Sequence, residues 1–250
     1  MKSSHRILTL CSLAAMLLGV YPAAQASVVV SGTRLIYPAK QHDITIQLTN
    51  TDTRPALVQS WIDSGDARQE PSQSTAPFVV TPPITRVDAG KKQLIRMTYL
   101  GSSALPSDRE SVFWYNMLDV PPDSRASADK NSIQVALRTR IKVFYRPDGL
   151  PGSPEKAASE LTWQAVNTPK GYALRAVNPS AFNVSMSNVA VTVGGKAYSN
   201  ETGGMVPPKG SQDFILKGLN GSPSSQATVT YSWINDFGSQ VKGKSTVRNN

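Results

Sequence analysis

The 250-residue sequence contains a single cysteine, Cys11, and only two histidines. Cys11 lies in an apolar run near the N-terminus, so the rest of the chain can form no internal disulfide, no thiol nucleophile and no cysteine-based metal site. Beyond residue 26 the only histidine is His42. We interpret His42 as a solvated loop residue rather than a general base, because no serine or carboxylate motif accompanies it. The sequence also lacks G-x-S-x-G, H-E-x-x-H and phosphate-binding glycine loops, which disfavours a hydrolase.

Long apolar runs are missing as well, apart from residues 7–20. A short basic segment precedes that run, and Ala-Gln-Ala follows it at residues 24–26. This order of basic, apolar and small residues is typical of a secretory signal peptide, and the run is too short to span a bilayer comfortably. We therefore predict a signal peptide over residues 1–26, cleavage near Ala26 and export. An uncleaved membrane anchor is the alternative.

Acidic residues are fewer than basic ones, at 17 against 26, which gives a formal net charge of +9. Removal of the signal peptide takes away two basic residues and leaves a charge of +7. The basic residues are spread through β-like segments, and no aromatic-and-basic stacking motif accompanies them, so nucleic acid is not a predicted partner. A modestly basic surface suits a partner that carries carboxylates.

Alternating apolar and polar residues recur along most of the remaining chain. Seven β-rich runs precede a proline- and glycine-rich break at 147–160, and six follow it. Clusters of Pro, Gly, Asn and Asp separate the runs, as in immunoglobulin-like sandwiches. We predict an all-β protein with two immunoglobulin-like β-sandwich domains, at 27–147 and 161–250, joined by a hinge at 148–160. A single large β-barrel is the alternative, and the break disfavours it.

The stretch SIQVALRTRIKVFYRP, residues 132–147, has the period-2 pattern of an unusually long strand. It carries Ile133, Val135 and Leu137 on one face. A long, partly apolar strand at a sheet edge normally promotes aggregation. Periodicity alone leaves open whether these three side chains face the core of their own domain or a partner.

A second stretch, LPSDRESVFWYNMLDVPP at 105–122, closely resembles the signature of the periplasmic pilus chaperones of the chaperone–usher pathway. Residues 81–97 (TPPITRVDAGKKQLIRM), the strand at 132–147, NPSAFNVSMS and INDFG resemble further parts of that family. The resemblance implies two immunoglobulin-like domains in an L-shaped arrangement. It also implies a periplasmic protein that is not an enzyme and needs no cofactor or metal. Such a protein binds pilus subunits by donor-strand complementation and delivers them to an outer-membrane usher.

The resemblance also assigns roles to individual residues. Ile133, Val135 and Leu137 would fill the groove of a subunit that lacks one strand, and Arg34 and Lys142 would bind its C-terminal carboxylate. Lys142 has the opposite strand parity from the three apolar residues, so we expect a twist or bulge between Leu137 and Lys142. Without the resemblance, Arg34 and Lys142 would be interpreted as solvated cations on strand faces.

Three charged residues, Glu110, Arg146 and Asp236, would form an interdomain ion network by the same resemblance. It also implies a cis Thr81–Pro82 bond. Without it, the charges would be ordinary surface groups, and Pro82 an edge-strand or turn proline.

The subclass and the rival function follow from smaller features. The loop at 121–132 is of short to moderate length and no cysteine pair exists, which indicates the short-loop branch of the family. The tail at 241–250, without a disulfide, would be held by packing or would fray. A pilus or surface component is the rival interpretation, although each half has enough strand candidates for a complete sandwich. The sequence leaves open which pilus system is served and whether the free protein self-associates.

Overall fold

A computed structural model describes residues 27–121 and 135–248. Within these ranges the chain forms 17 β-strands, one α-helix (α1, Pro154–Ser159) and a 3-10 turn (Pro71–Gln73). In chain order the strands are β1 (Val28–Val30), β2 (Arg34–Pro38), β3 (Asp43–Asn50), β4 (Ala56–Asp63), β5 (Phe78–Thr81), β6 (Ile84–Val87), β7 (Lys92–Tyr99), β8 (Ser111–Val120), β9 (Leu137–Arg146), β10 (Thr162–Thr168), β11 (Gly171–Asn178), β12 (Val184–Val193), β13 (Lys196–Asn200), β14 (Gly204–Val206), β15 (Gly210–Ile215), β16 (Thr228–Ile234) and β17 (Gln240–Arg248).

The first domain is a sandwich of two sheets. One has the strand order β1-β3-β7-β5, and the other has the order β2-β9-β8-β4-β6. Alternate residues of each strand point inward, as the period of two requires. They form one buried cluster that includes Ile46, Ile95, Tyr115 and Val143. The apolar halves of the alternating runs are therefore the core of this domain.

The β-rich run at 27–38 forms two strands in different sheets rather than one. β1 pairs with β3, whereas β2 pairs with β9 in the opposite sheet. The chain crosses between the sheets at Gly32, whose φ of 102° is readily adopted only by glycine. This crossing places Arg34 at the first position of β2, beside β9.

The second domain encloses a separate core. Its strands follow the order β13-β12-β16-β17-β10-β11-β15, with β14 paired to β12. The buried cluster includes Trp163, Leu174 and Phe214, together with Ala157 and Ala158 of α1. Because the two clusters share no residue, the single-barrel alternative is wrong. No helix among the described residues is long and apolar enough to cross a membrane.

The C-terminal segment is a paired strand as far as Arg248. β17 is antiparallel to β16 and parallel to β10, and its Val247 is buried in the second core. Gly243 lies against the ring of Tyr231, where a Cβ atom would be 2.3 Å from ring carbons. Only glycine fits that position without a shift of the ring. The described part of this tail is therefore held by strand pairing and packing, and it does not fray.

Candidate binding site: an open strand edge and a cationic cleft

One edge of β9 is open over half of its length. β9 pairs with β8 from Leu137 to Tyr145, but with β2 only from Lys142 to Arg146. Among the described strands, none lies beside residues 137–141 on the side of β2. An unpaired strand edge offers backbone N–H and C=O groups to a further strand. This edge can therefore accept an extended segment of another chain.

The apolar side chains at the start of this edge lie outside the core of the first domain. Val135 is 60% exposed and Leu137 is 44% exposed. Ile133 lies outside the described residues, and residues 135 and 136 precede β9 rather than belong to it. Two large apolar side chains thus lie exposed next to a free strand edge.

The opposite face of β9 is held down by a buried carboxylate. The side chain of Asp63 on β4 is fully buried and accepts hydrogen bonds from Arg140 Nε and Nη2, at 3.0 and 2.5 Å. Asn116 on β8 donates to the same carboxylate at 2.7 Å and accepts two hydrogen bonds from Arg138. Both guanidinium groups also lie over tryptophan rings, at 4.7 and 4.5 Å from the ring centroids. The strand is therefore fixed from one face while its edge stays open.

Hydrogen bonding outweighs burial at Asp63. Burial alone would raise the pKa of this carboxyl, but hydrogen bonds from Arg140, from Asn116 and from the Gly65 amide lower its pKa overall. This cluster was not predicted from the sequence. A usable signal was present, since the arginines at 138 and 140 alternate with the apolar residues of the same strand.

Two cations meet where β2 begins and closes the open edge. Arg34 and Lys142 are neighbours in the parallel register of β2 and β9. Arg34 Nη1 donates to the carbonyl of Ile234 at 2.8 Å, and Lys142 Nζ donates to Ser185 Oγ at 3.1 Å. Both acceptors belong to the second domain, so the pair lies in the cleft between the domains. Among the described residues, Arg34 Nε is buried without a hydrogen-bond partner.

The cleft disfavours the charge of its own two cations. Burial lowers the pKa of Lys142, and the positive charge of Arg34 lowers it further. Burial also lowers the pKa of Arg34, against the opposing attraction of Asp236 and Glu110. An anion between the two side chains would relieve both effects. A carboxylate fits because it can accept charge-assisted hydrogen bonds from both groups.

Of the twist or bulge that we expected between Leu137 and Lys142, the bulge is absent. The pairing of β8 with β9 runs from Leu137 to Tyr145 without a register shift. Lys142 therefore lies on the face opposite to Leu137 and reaches the second domain. Leu137 and Lys142 can still contact one partner, because an added strand would lie beside β9 in the plane of the sheet. The middle of that strand would pair with residues 137–141, and its end would reach Lys142.

The three charged residues assigned to an interdomain network lie together. Arg146 Nε donates to Glu110 Oε1 at 2.7 Å, and its two terminal nitrogens donate to both oxygens of Asp236 at 2.8 and 3.1 Å. Glu110, only 4% exposed, also accepts from the Asn183 amide at 2.8 Å. Burial opposes the charge of Arg146, but the bonds to Asp236 and the charge of Glu110 raise its pKa overall. One guanidinium thus connects carboxylates of both domains.

Two further interdomain contacts were not foreseen from the sequence. Lys209 of the second domain donates to Asp108 at 2.5 Å, and the Glu110 amide donates to the Ala181 carbonyl at 2.9 Å. Both involve the segment that leads into β8. That segment therefore contributes to the interface together with Arg34, Lys142 and Arg146.

The remaining residues of interest lie elsewhere. The Thr81–Pro82 peptide bond is cis and lies between β5 and β6. The side chain of His42 is 88% exposed and lies 3.6 Å from Asp43. In the part of the chain that the structure describes, no three His, Cys, Asp or Glu residues are grouped to hold a metal ion.

Comparison with known proteins gives two family matches that together span both domains. Residues 27–151 match the N-terminal domain of the pili and flagellar-assembly chaperone PapD, and residues 156–245 match the C-terminal domain of the pili assembly chaperone PapD. The chaperone protein FimB/FhaD of Bordetella pertussis is 41% identical over 228 residues, which cover 90% of each chain.

Solved structures of similar proteins have the same fold. The crystal structure of the YadV chaperone superposes with a TM-score of 0.77 at 40% identity, and the match covers 89% of this chain and all of that one. The probable fimbrial chaperone YadV of Escherichia coli is 43% identical over 220 residues, which cover 87% of this chain and 89% of that one. The SafB chaperone of Salmonella enterica, solved in complex with the SafA pilin, gives a TM-score of 0.73 at 29% identity, with coverage of 90% and 98%. The chain belongs to the PapD family of pilus-assembly chaperones.

Proposed function

We propose that this protein is a periplasmic, non-enzymatic chaperone that captures pilus subunits by donor-strand complementation and delivers them to an outer-membrane usher. The observation that carries the proposal is the open edge of β9, which ends at the paired cations Arg34 and Lys142. The complex of the SafB chaperone with a pilin supports the choice of partner. Residues 1–26 are the signal peptide in this proposal, and cleavage follows Ala26.

The direction of the captured strand follows from the strand pairing. β2 runs parallel to β9 and begins at Arg34, opposite Lys142. A strand that pairs with residues 137–141 occupies the same side of β9 as β2, immediately before it. Its C-terminus meets Arg34 only if it runs in the same direction as β2. The subunit strand is therefore parallel to β9, with its terminal carboxylate between the two cations.

The anchor sets the register of that pairing. A one-residue slip moves every side chain of a strand to the other face, so a fixed end also selects which subunit residues face the groove. Val135 and Leu137 are exposed in the free protein and would enter the groove of the subunit, with Ile133 preceding them. Burial of an apolar side chain of this size contributes about 1.5–3 kcal/mol. The apolar residues supply affinity, and the cations supply register.

Other parts of the chain maintain this arrangement. The contacts of Arg146 with Glu110 and Asp236 hold the two domains in an L-shaped arrangement, and so fix the cleft. In this proposal the first domain extends over residues 27–147, the hinge over 148–160 and the second domain over 161–250, and the part of the hinge that forms α1 packs against the second core. Without a cysteine pair, the protein belongs to the short-loop branch of the family.

The carboxylate anchor is tested with Arg34→Ala and Lys142→Ala. Each variant should be exported and folded but should fail to retain subunits, because loss of one partner of a buried charge contact costs about 2–5 kcal/mol of binding. Co-purification from the periplasm, with mass spectrometry of the bound proteins, measures retention, and circular dichroism reports folding. Lys242→Ala, an exposed strand lysine of the second domain, is the matched control. Normal subunit retention by both cleft variants would show that the anchor assignment is wrong.

A further inference from the structure

A second buried carboxylate, Asp119 on β8, lacks a full set of partners. It is 3% exposed. Its Oδ2 atom accepts hydrogen bonds from the Ser27 hydroxyl and, at 3.1 Å, from the Val28 amide. Its Oδ1 atom is buried without a hydrogen-bond partner in the ranges 27–121 and 135–248. None of the ion pairs formed among these residues involves Asp119.

Such a site calls for a positive group. A buried carboxylate is costly unless a cation or several donors compensate it. The donors that reach Asp119 come from the first two residues after the proposed cleavage point. The α-nitrogen of Ser27 belongs to the residue whose hydroxyl already contacts this carboxylate. This nitrogen therefore adjoins both existing donors, because Ser27 carries the hydroxyl and Val28 is the next residue.

We propose that removal of the signal peptide creates the missing partner, and that the new α-ammonium group of Ser27 binds Oδ1 of Asp119. This inference rests on the export and cleavage that the proposed function includes. Signal peptidase hydrolyses the Ala26–Ser27 bond: water adds its hydroxyl to the Ala26 carbonyl carbon, the C–N bond breaks, and the nitrogen leaves as an amine. The amine takes up a further proton near neutral pH. Processing thus gives Ser27 a positive charge that can pair with the buried carboxylate of Asp119.

The position of the ion pair gives it a structural consequence. β1, which starts at Val28, belongs to the four-stranded sheet, whereas Asp119 belongs to the five-stranded one. The Ser27 carbonyl also accepts from the Thr51 amide at 2.7 Å, which fixes the end of β1. In the β8–β9 ladder, Asp119 is the residue opposite Leu137. The ion pair therefore joins the two sheets at the residue of β8 that is paired with Leu137, where the open edge of β9 begins.

The test shifts the new N-terminus by one residue. An alanine inserted between Ala26 and Ser27 lets the exported chain be processed but leaves Ser27 with an ordinary amide nitrogen. We expect this insertion to lower the Tm by about 4 °C or more in the natural background. In an Asp119→Asn background the insertion should change the Tm by much less, because the carboxylate that it separates from the amine is gone. An equal Tm loss in both backgrounds would overturn the ion pair.

Mass spectrometry of the purified chains separates this failure from failure of the proposed function. A natural chain that starts at a residue other than Ser27 would overturn the cleavage step and the ion pair with it. A chain that starts at Ser27 but shows equal losses overturns only the ion pair.

A measurement on the unaltered side chain covers the case in which Asp119→Asn does not fold. We expect the paired α-amine of Ser27 to react with an acetylating reagent about tenfold more slowly than the α-amine of the insertion variant, since one pKa unit corresponds to a factor of ten. Equal rates would overturn the proposal.

Discussion

Replacement of Val135 with serine tests whether this side chain contacts a bound subunit or packs in the core of its own domain. Val135 is 60% exposed in the free protein. Full burial of a valine contributes about 1.5–3 kcal/mol, so the part already buried contributes roughly 1 kcal/mol at most to folding. Subunit binding would bury the rest, worth roughly 1–2 kcal/mol, and a serine hydroxyl buried without a partner adds a penalty of about 1–3 kcal/mol. The loss in binding should therefore be about 2–5 kcal/mol.

Two assays measure these quantities on the same preparation. Urea unfolding gives the free energy of unfolding, and titration with a purified subunit gives Kd. We expect the Kd to rise at least about 30-fold while the free energy of unfolding falls by roughly 1 kcal/mol or less.

Two other valines serve as controls. Val143 lies on β9, the strand that Val135 precedes, and is fully buried, so Val143→Ser should cost about 2–5 kcal/mol of stability. Val79, on β5, is 43% exposed, so Val79→Ser should lower the stability about as much as Val135→Ser does, but it should leave subunit binding unchanged. A stability loss at Val135 that exceeds its binding loss would refute the donor-strand assignment.

Two further predictions concern buried charges. Arg146→Ala leaves Glu110 buried without its cation, so we expect a more open shape in small-angle scattering and a lower yield; Arg175→Ala, which removes a more exposed ion pair of the second domain, should change neither. Unchanged scattering and yield for Arg146→Ala would show that its contacts do not hold the two domains in their arrangement. The folded-state pKa of Asp63 is lowered, so its contribution to stability is present above its unfolded pKa of about 3.9 and is lost as the pH falls through the folded value. The Tm difference between the natural protein and Asp63→Asn should therefore shrink below about pH 4, and a constant difference would contradict this role.

The sequence predicted the two sandwiches because alternation along each strand directly encodes which side chains are buried. It failed where that signal is weak. The segment that forms β17 is rich in Lys, Ser and Thr, with mostly exposed or half-exposed side chains, so no apolar period marks it as a strand. The split of the first run depends on the conformation of Gly32, and a pattern of apolar residues does not report a change of sheet.

The candidate site shows a different limit. Arg34 and Lys142 are more than 100 positions apart and become neighbours only through the parallel pairing of β2 with β9. No local pattern encodes that contact, so their joint assignment depended on resemblance to a family. The same holds for Arg146 and Asp236, which meet across the domain interface. The hydrogen bonds of Asp63 and Asp119 were missed for this reason, since tertiary contacts decide which carboxylates are buried and paired.

Because β2 pairs with β9 from Lys142 onward, the open edge of β9 ends at a fixed residue. Leu137 and Lys142 are five residues apart on one strand, a separation of about 17 Å at about 3.4 Å per residue. If the last residue of a captured chain is bound at Lys142, the residues of every client that contact the apolar side chains lie at set distances before its C-terminus. Client proteins can then be sought in a genome by alignment on their final residue, with gaps forbidden over the last several positions. A tag fused to the C-terminus of a client would move the terminal carboxylate away from the residues that pair with β9. An insertion far upstream would leave the register of that pairing unchanged.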